Sequence, residues 1–115
     1  METLKACRVN VMVSDIGASI EFYQGILGLE MVNRYGDHYA EIQGPGLMLG
    51  LHPSSDKLKI GNNLSIGFGV GDFDLAVKEL EAKGIELKVE NEGWVRLAYF
   101  ADPDENQLYL AENKS

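Results

Sequence analysis

The sequence predicts an α+β fold of two tandem βαβββ modules, and three observations predict it. A strand of alternating apolar residues runs through an aspartate cap into an amphipathic helix, and this happens twice. Each helix is followed by three short strand-like runs. Glycine-containing turn signals separate those runs where a hairpin chain must reverse.

In the first module, Cys7, Val9, Val11 and Val13 alternate with Arg8, Asn10 and Met12, which gives a strand with one core face. Ser14 and Asp15 offer N-cap oxygens to a segment whose Ile16, Ile20, Tyr23 and Leu27 share one helical stripe, and Gly28 closes it after about three turns. Strands are expected at Glu30 to Arg34, Tyr39 to Gln43 and Leu47 to Leu51, divided by Gly36-Asp37 and by Gly44-Pro45-Gly46.

The polar run from Pro53 to Asn62 reads as a linker. Beyond it the order of elements restarts. Leu64, Ile66, Phe68 and Val70 form a core face, Asp72 caps a helix with Phe73, Val77 and Leu80 inward, and Gly84 ends it. Strands are expected near Glu86 to Val89, Val95 to Ala101 and Gln107 to Ala111. With Val9 laid on Ile66, the halves also match Val11 with Phe68, Val13 with Val70, Asp15 with Asp72 and Ile20 with Val77, the signature of a repeated supersecondary unit. Residues 1–115 are thus expected to be a single domain, with module one at about 5–52, a linker at about 53–62 and module two at about 63–113.

Composition narrows the function. The chain has 115 residues, of which 45% are hydrophobic and 24% charged, an ordinary globular balance. A net charge of −8 leaves no basic footprint for phosphates, so nucleic acid is excluded as a partner. The same acidity keeps the protein soluble and would attract cationic ligands. The lone Cys7 fits a reducing, cytoplasmic setting, and no segment approaches the roughly 20 apolar residues of a membrane helix.

Two stretches carry a resemblance that covers nearly the whole chain. Val13-Ser14-Asp15 leads into Ser19-Ile20-Glu21-Phe22-Tyr23 and Leu27-Gly28-Leu29, and Phe100-Ala101-Asp102-Pro103-Asp104 leads into Asn106-Gln107-Leu108. The sequence resembles the vicinal oxygen chelate superfamily, which includes glyoxalase I, extradiol dioxygenases, fosfomycin-resistance enzymes and bleomycin-binding proteins. The resemblance implies that the curved sheets of the two modules form a cleft, with four side chains, commonly His and Glu, around a divalent cation. Carried over one at a time, those positions are Arg8, its second-module counterpart Ser65, Gly50, and its counterpart Tyr109. None is a His or a carboxylate. A guanidinium in contact with a divalent ion would cost roughly 8 kcal/mol in a protein-like dielectric. No metal and no cofactor are therefore expected at that site.

The alternation selects Arg8, Asn10, Met12, Glu41, Met48, His52, Ser65, Tyr99 and Tyr109 as the ligand-binding face, with Tyr39 and Leu97 of the same parity and Trp94 as a lid or a dimer contact. Arg8 either neutralises Glu41 or stays free to hold a ligand carboxylate or phosphate. Three functions stay open. The first is a metal-independent small-molecule binding protein, of the drug-sequestering kind, for planar or cationic compounds. The second is an enzyme, a lyase or dioxygenase relative, with Tyr99, Tyr109 or His52 as acid or base. The third is a module that binds another protein. A homodimer is expected, as symmetric dimers are the commonest oligomers.

Overall fold

The computed structural model describes residue 3 and residues 8–54, 64–93 and 95–112. Cys7, most of the linker and Trp94 lie outside the described residues. The chain divides into two units, Met1–Lys59 and Ile60–Ser115, each built around its own four-stranded sheet.

In the first unit the alternating valines form β1 (Arg8–Val13). Asp15, rather than Ser14, caps α1 (Ile16–Ile20), its Oδ1 accepting from the Ala18 amide at 3.0 Å. The helix does not continue as the regular α-helix that its stripe predicts: Glu21–Ile26 is a π-helical turn. Its wider ring changes the phase of the side chains, so the neighbours Phe22 and Tyr23 are both buried, with their rings edge to face at 5.2 Å. Gly28, at φ 73°, then ends the segment.

Strands β2 (Glu30–Tyr35), β3 (Tyr39–Gly44) and β4 (Leu47–Pro53) complete a sheet of order β1-β4-β3-β2, in which β1 and β4 run parallel. Pro53 is thus the last residue of a strand and not the start of the linker. One face buries Val11, Val13, Ala40, Ile42, Leu49 and Leu51, where α1 packs.

The second unit repeats the plan: β5 (Ser65–Val70), α2 (Phe73–Ala82), β6 (Lys88–Asn91), β7 (Arg96–Ala101) and β8 (Gln107–Glu112), in sheet order β5-β8-β7-β6 with β5 and β8 parallel. Asp72 Oδ1 caps α2 through the Leu75 amide. At its other end the Ile85 amide donates to the Leu80 carbonyl and the Gly84 amide to that of Glu81, a Schellman closure. That closure consumes Ile85, and the chain runs unpaired to Leu87, so β6 begins two residues later than the sequence predicts. Ile66, Ala98, Phe100, Leu108 and Leu110 form the buried face.

Candidate functional site

Register decides which side chains share a face. In the first sheet Arg8 pairs with Met48, Asn10 with Gly50 and Met12 with His52, while β3 sets Glu41 beside Gly50. Paired strand residues point the same way, so Arg8, Asn10, Met12, Glu41, Met48 and His52 all stand on the face opposite the buried one. Tyr39 joins them by alternation. The structure therefore brings together every first-module residue that the sequence proposed for the site.

Two polar groups organise this face. Glu41, largely buried, accepts from Asn33 Nδ2 at 2.8 Å through Oε1 and pairs with Arg8 Nε at 3.4 Å through Oε2. Asn33 reaches Glu41 because β2 carries a bulge between Met31 and Asn33; in regular pairing Val32 would stand there. In the second group the Tyr39 hydroxyl donates to Asn10 Oδ1 at 3.3 Å, directly over Gly50. A Cβ at position 50 would overlap both the hydroxyl and the amide oxygen. Glycine is needed here by close approach, not by backbone angle.

An aromatic row continues the face. The Tyr35 and Tyr39 rings stack at 6.2 Å, and Tyr39 meets His52 edge to face at 6.2 Å. His52 is exposed, and its Nδ1 donates to the Pro53 carbonyl at 2.9 Å. Sequence reasoning missed Asn33 and Tyr35, because the bulge that brings Asn33 onto this face has no residue signature. His38 belongs to the turn after β2.

In the second unit Ser65 pairs with Gln107, Gly67 with Tyr109 and Tyr99 with Tyr109, which puts Ser65, Tyr99 and Tyr109 on one face. The two tyrosine rings lie 5.9 Å apart at 49°. Gly67 leaves room for the Tyr109 ring much as Gly50 does for Tyr39. The pairs Asn10 with Gly50 and Gly67 with Tyr109 are equivalent places in the two sheets, so the register agrees with treating Gly50 and Tyr109 as counterparts.

The helix side of this unit holds a second polar group that the sequence reading passed over. Arg96 donates to Asp74 Oδ1 at 2.9 Å and to Glu112 Oε2 at 2.9 Å, with its guanidinium carbon 4.6 Å from the Phe73 ring centroid. Hydrogen bonds that Arg96 donates to Glu112 and then to Asp74 hold the guanidinium above its ordinary pKa. A shallow groove of about 350 Å³ beside it is lined by Phe73, Val77, Lys78, Glu81 and Val89. The signal was present in the alternation: Arg96 and Glu112 both stand at core-face parity, and two opposite charges there call for each other.

The residues at the carried-over positions, taken in each unit by itself, do not fit the divalent cation that the resemblance implies. Gly50 contributes no donor and its space is filled, Arg8 is cationic, and Ser65 and Tyr109 are weak ligands for such ions. Glu41, the nearest carboxylate, already has both oxygens engaged. Among the described residues no three His, Cys, Asp or Glu side chains gather as a metal would require. None of the helices among the described residues is long and apolar enough to cross a membrane.

Several solved structures share the fold. An integron cassette protein from the mobile metagenome of a Halifax Harbour sewage outfall is 24% identical, with 96% of this chain and 100% of that one aligned at a TM-score of 0.80. A genomically encoded fosfomycin resistance protein, FosX, from Listeria monocytogenes is 20% identical over 96% of this chain and 94% of its own, TM-score 0.81. A lactoylglutathione lyase from Agrobacterium tumefaciens is 21% identical over 97% and 96%, TM-score 0.77. No curated protein matches the sequence. The sequence profile of one family matches residues 6–110. By that match, over a fold assembled from two βαβββ units, the chain belongs to the Glyoxalase/Bleomycin resistance protein/Dioxygenase superfamily.

Proposed function

We propose that this chain is a metal-independent member of its superfamily that binds a small planar molecule, holding its ligand instead of converting it. The observation that carries the reading is the space over Gly50. Where relatives of the metal-dependent kind need a ligating side chain, the Tyr39 hydroxyl and the Asn10 amide are packed against bare backbone. The face that results has aromatic rings, thioethers and a few fixed polar groups, the composition of a ligand site. The fosfomycin resistance neighbour is a drug-resistance protein by name, which is in keeping with sequestration of a drug-like compound.

A thermal-shift screen of planar drug-like compounds, run in EDTA and again with Zn, Mn or Ni, tests this reading. A ligand that binds only the folded state raises the melting temperature. Hits that persist in EDTA are expected. Hits that appear only with a divalent metal, or one equivalent of metal retained after dialysis, would overturn it and favour a lyase or dioxygenase.

A further inference from the structure

The ion pair on the first sheet presents its two charges very unequally. The Glu41 side chain is 10% exposed and the Arg8 side chain 47%. Glu41 spends one oxygen on Asn33 and the other on Arg8, so both carboxylate oxygens are engaged within the sheet. Arg8 meets Glu41 through Nε, and the two Nη nitrogens of its half-exposed side chain remain as further donors in a planar fork. Because the Tyr39 hydroxyl occupies Asn10 Oδ1, the Asn10 amide nitrogen is also left to donate, one alternation along the strand. Among the described residues of this sheet the other carboxylate of this parity is Glu30, paired with Gln43 on β2, three strands from Arg8 and so on the order of 14 Å away. Salt screens charges at that separation.

From this geometry we infer that the ligand of this face carries an anionic group, a carboxylate or phosphoryl, seated on the Arg8 fork, with its planar body over Tyr39 and His52. The inference rests on the small-molecule reading above and reverses the ligand charge that the net −8 of the chain suggests. Net charge acts over the whole surface, while recognition depends on the groups within hydrogen-bond reach. Here those groups are donors. Glu41 and Asn33 serve as the positioning residues, the buried carboxylate fixing a guanidinium that would otherwise sample many rotamers.

Phenylphosphonate and benzylamine, an aromatic anion and an aromatic cation of similar size, serve as probes on the full chain in EDTA. Binding is read from chemical shifts, including the Arg8 Nε–H resonance. Phenylphosphonate should shift that resonance saturably, weaken as salt rises, and lose at least tenfold in affinity in Arg8→Gln, with Arg8→Lys intermediate because it lacks the fork. Should Arg8→Gln fail to fold with Glu41 stranded, the double variant Arg8→Gln/Glu41→Gln replaces it, with the same loss expected. Saturable binding of benzylamine that survives Arg8→Gln overturns the anion inference and leaves the binding reading standing. Phenylphosphonate affinity unchanged by Arg8→Gln, or no saturable shift from either probe, also overturns the inference. Phenylphosphonate binding that requires added Zn or Mn overturns the metal-independent reading itself.

Discussion

The ring of Tyr109 lies across the bare backbone of Gly67 on the neighbouring parallel strand, so closely that a Cβ at 67 would overlap the ring carbons and the hydroxyl. Gly67→Ala must therefore displace Tyr109 from its place beside Tyr99. Overpacking of this kind costs about 1–3 kcal/mol. Urea midpoints should record that loss, and the near-ultraviolet circular dichroism of the tyrosines should change with it. An unchanged midpoint would mean that the ring swings aside freely.

Ser19 is fully buried at the end of α1, and its hydroxyl has no hydrogen-bond partner among the described residues. An unsatisfied buried hydroxyl is costly, and alanine is the better helix former. Ser19→Ala is expected to raise stability by about 1 kcal/mol by denaturant unfolding. A loss instead would reveal a partner, such as an ordered water.

Glu105 holds φ 64°, the left-handed region, in the turn where Asp102 Oδ1 accepts from the Asp104 and Asn106 amides at 2.9 Å each. Glycine meets that backbone angle without a Cβ clash. Glu105→Gly should stabilise the protein by up to about 1 kcal/mol, against the entropic cost of glycine in the unfolded chain. Glu105→Val should do the reverse, and thermal melts of the pair compare them directly.

Arg96 gives a signed expectation with pH. Its pKa is raised in the folded state by Glu112 and Asp74, so its contribution is complete below the ordinary arginine value and is lost only as pH rises through the still higher folded value. Stability measured on the native chain and on Arg96→Gln should differ by a constant amount from pH 7 to pH 10. A difference that shrinks across that window would show that the guanidinium is not the group responsible.

Among the described residues each sheet is open, with β1 and β2 as the edges of one and β5 and β6 as the edges of the other. Open edges favour association. Light scattering at micromolar concentration is expected to give about 25 kDa, twice the 12.7 kDa chain, for a homodimer. A mass near that of one chain would refute it.

How far the sequence reached depended on the kind of signal. Helix α2 was legible from Asp72 to Gly84, because a capping carboxylate and a left-handed glycine act locally. The common face of Arg8, Asn10 and Met12 was legible because strand alternation is geometric. The π-helical turn was not, since Ile16, Ile20 and Tyr23 satisfy an ordinary helical stripe and only packing reveals that Phe22 also turns inward. Nor was the partnership of Asn33 with Glu41, which depends on one inserted residue in β2. The choice between a paired and a free Arg8 stayed open for the same reason. Sequence shows that the two charges share a face, but exposure decides which of them a ligand meets.

The parallel pairing of β1 with β4 also governs the order of assembly. Strands β2, β3 and β4 form an antiparallel meander of local contacts, but Arg8 has no strand partner in its sheet until Met48 arrives. Contacts between residues distant in sequence pay their loop-closure entropy late, so this parallel ladder is the slow, high-contact-order step of the unit's folding. Arg8 and Asn10 ride on that late strand. A molecule that clamps them would therefore act mainly as a brake on unfolding, lengthening the lifetime of the native state more than it hastens its formation.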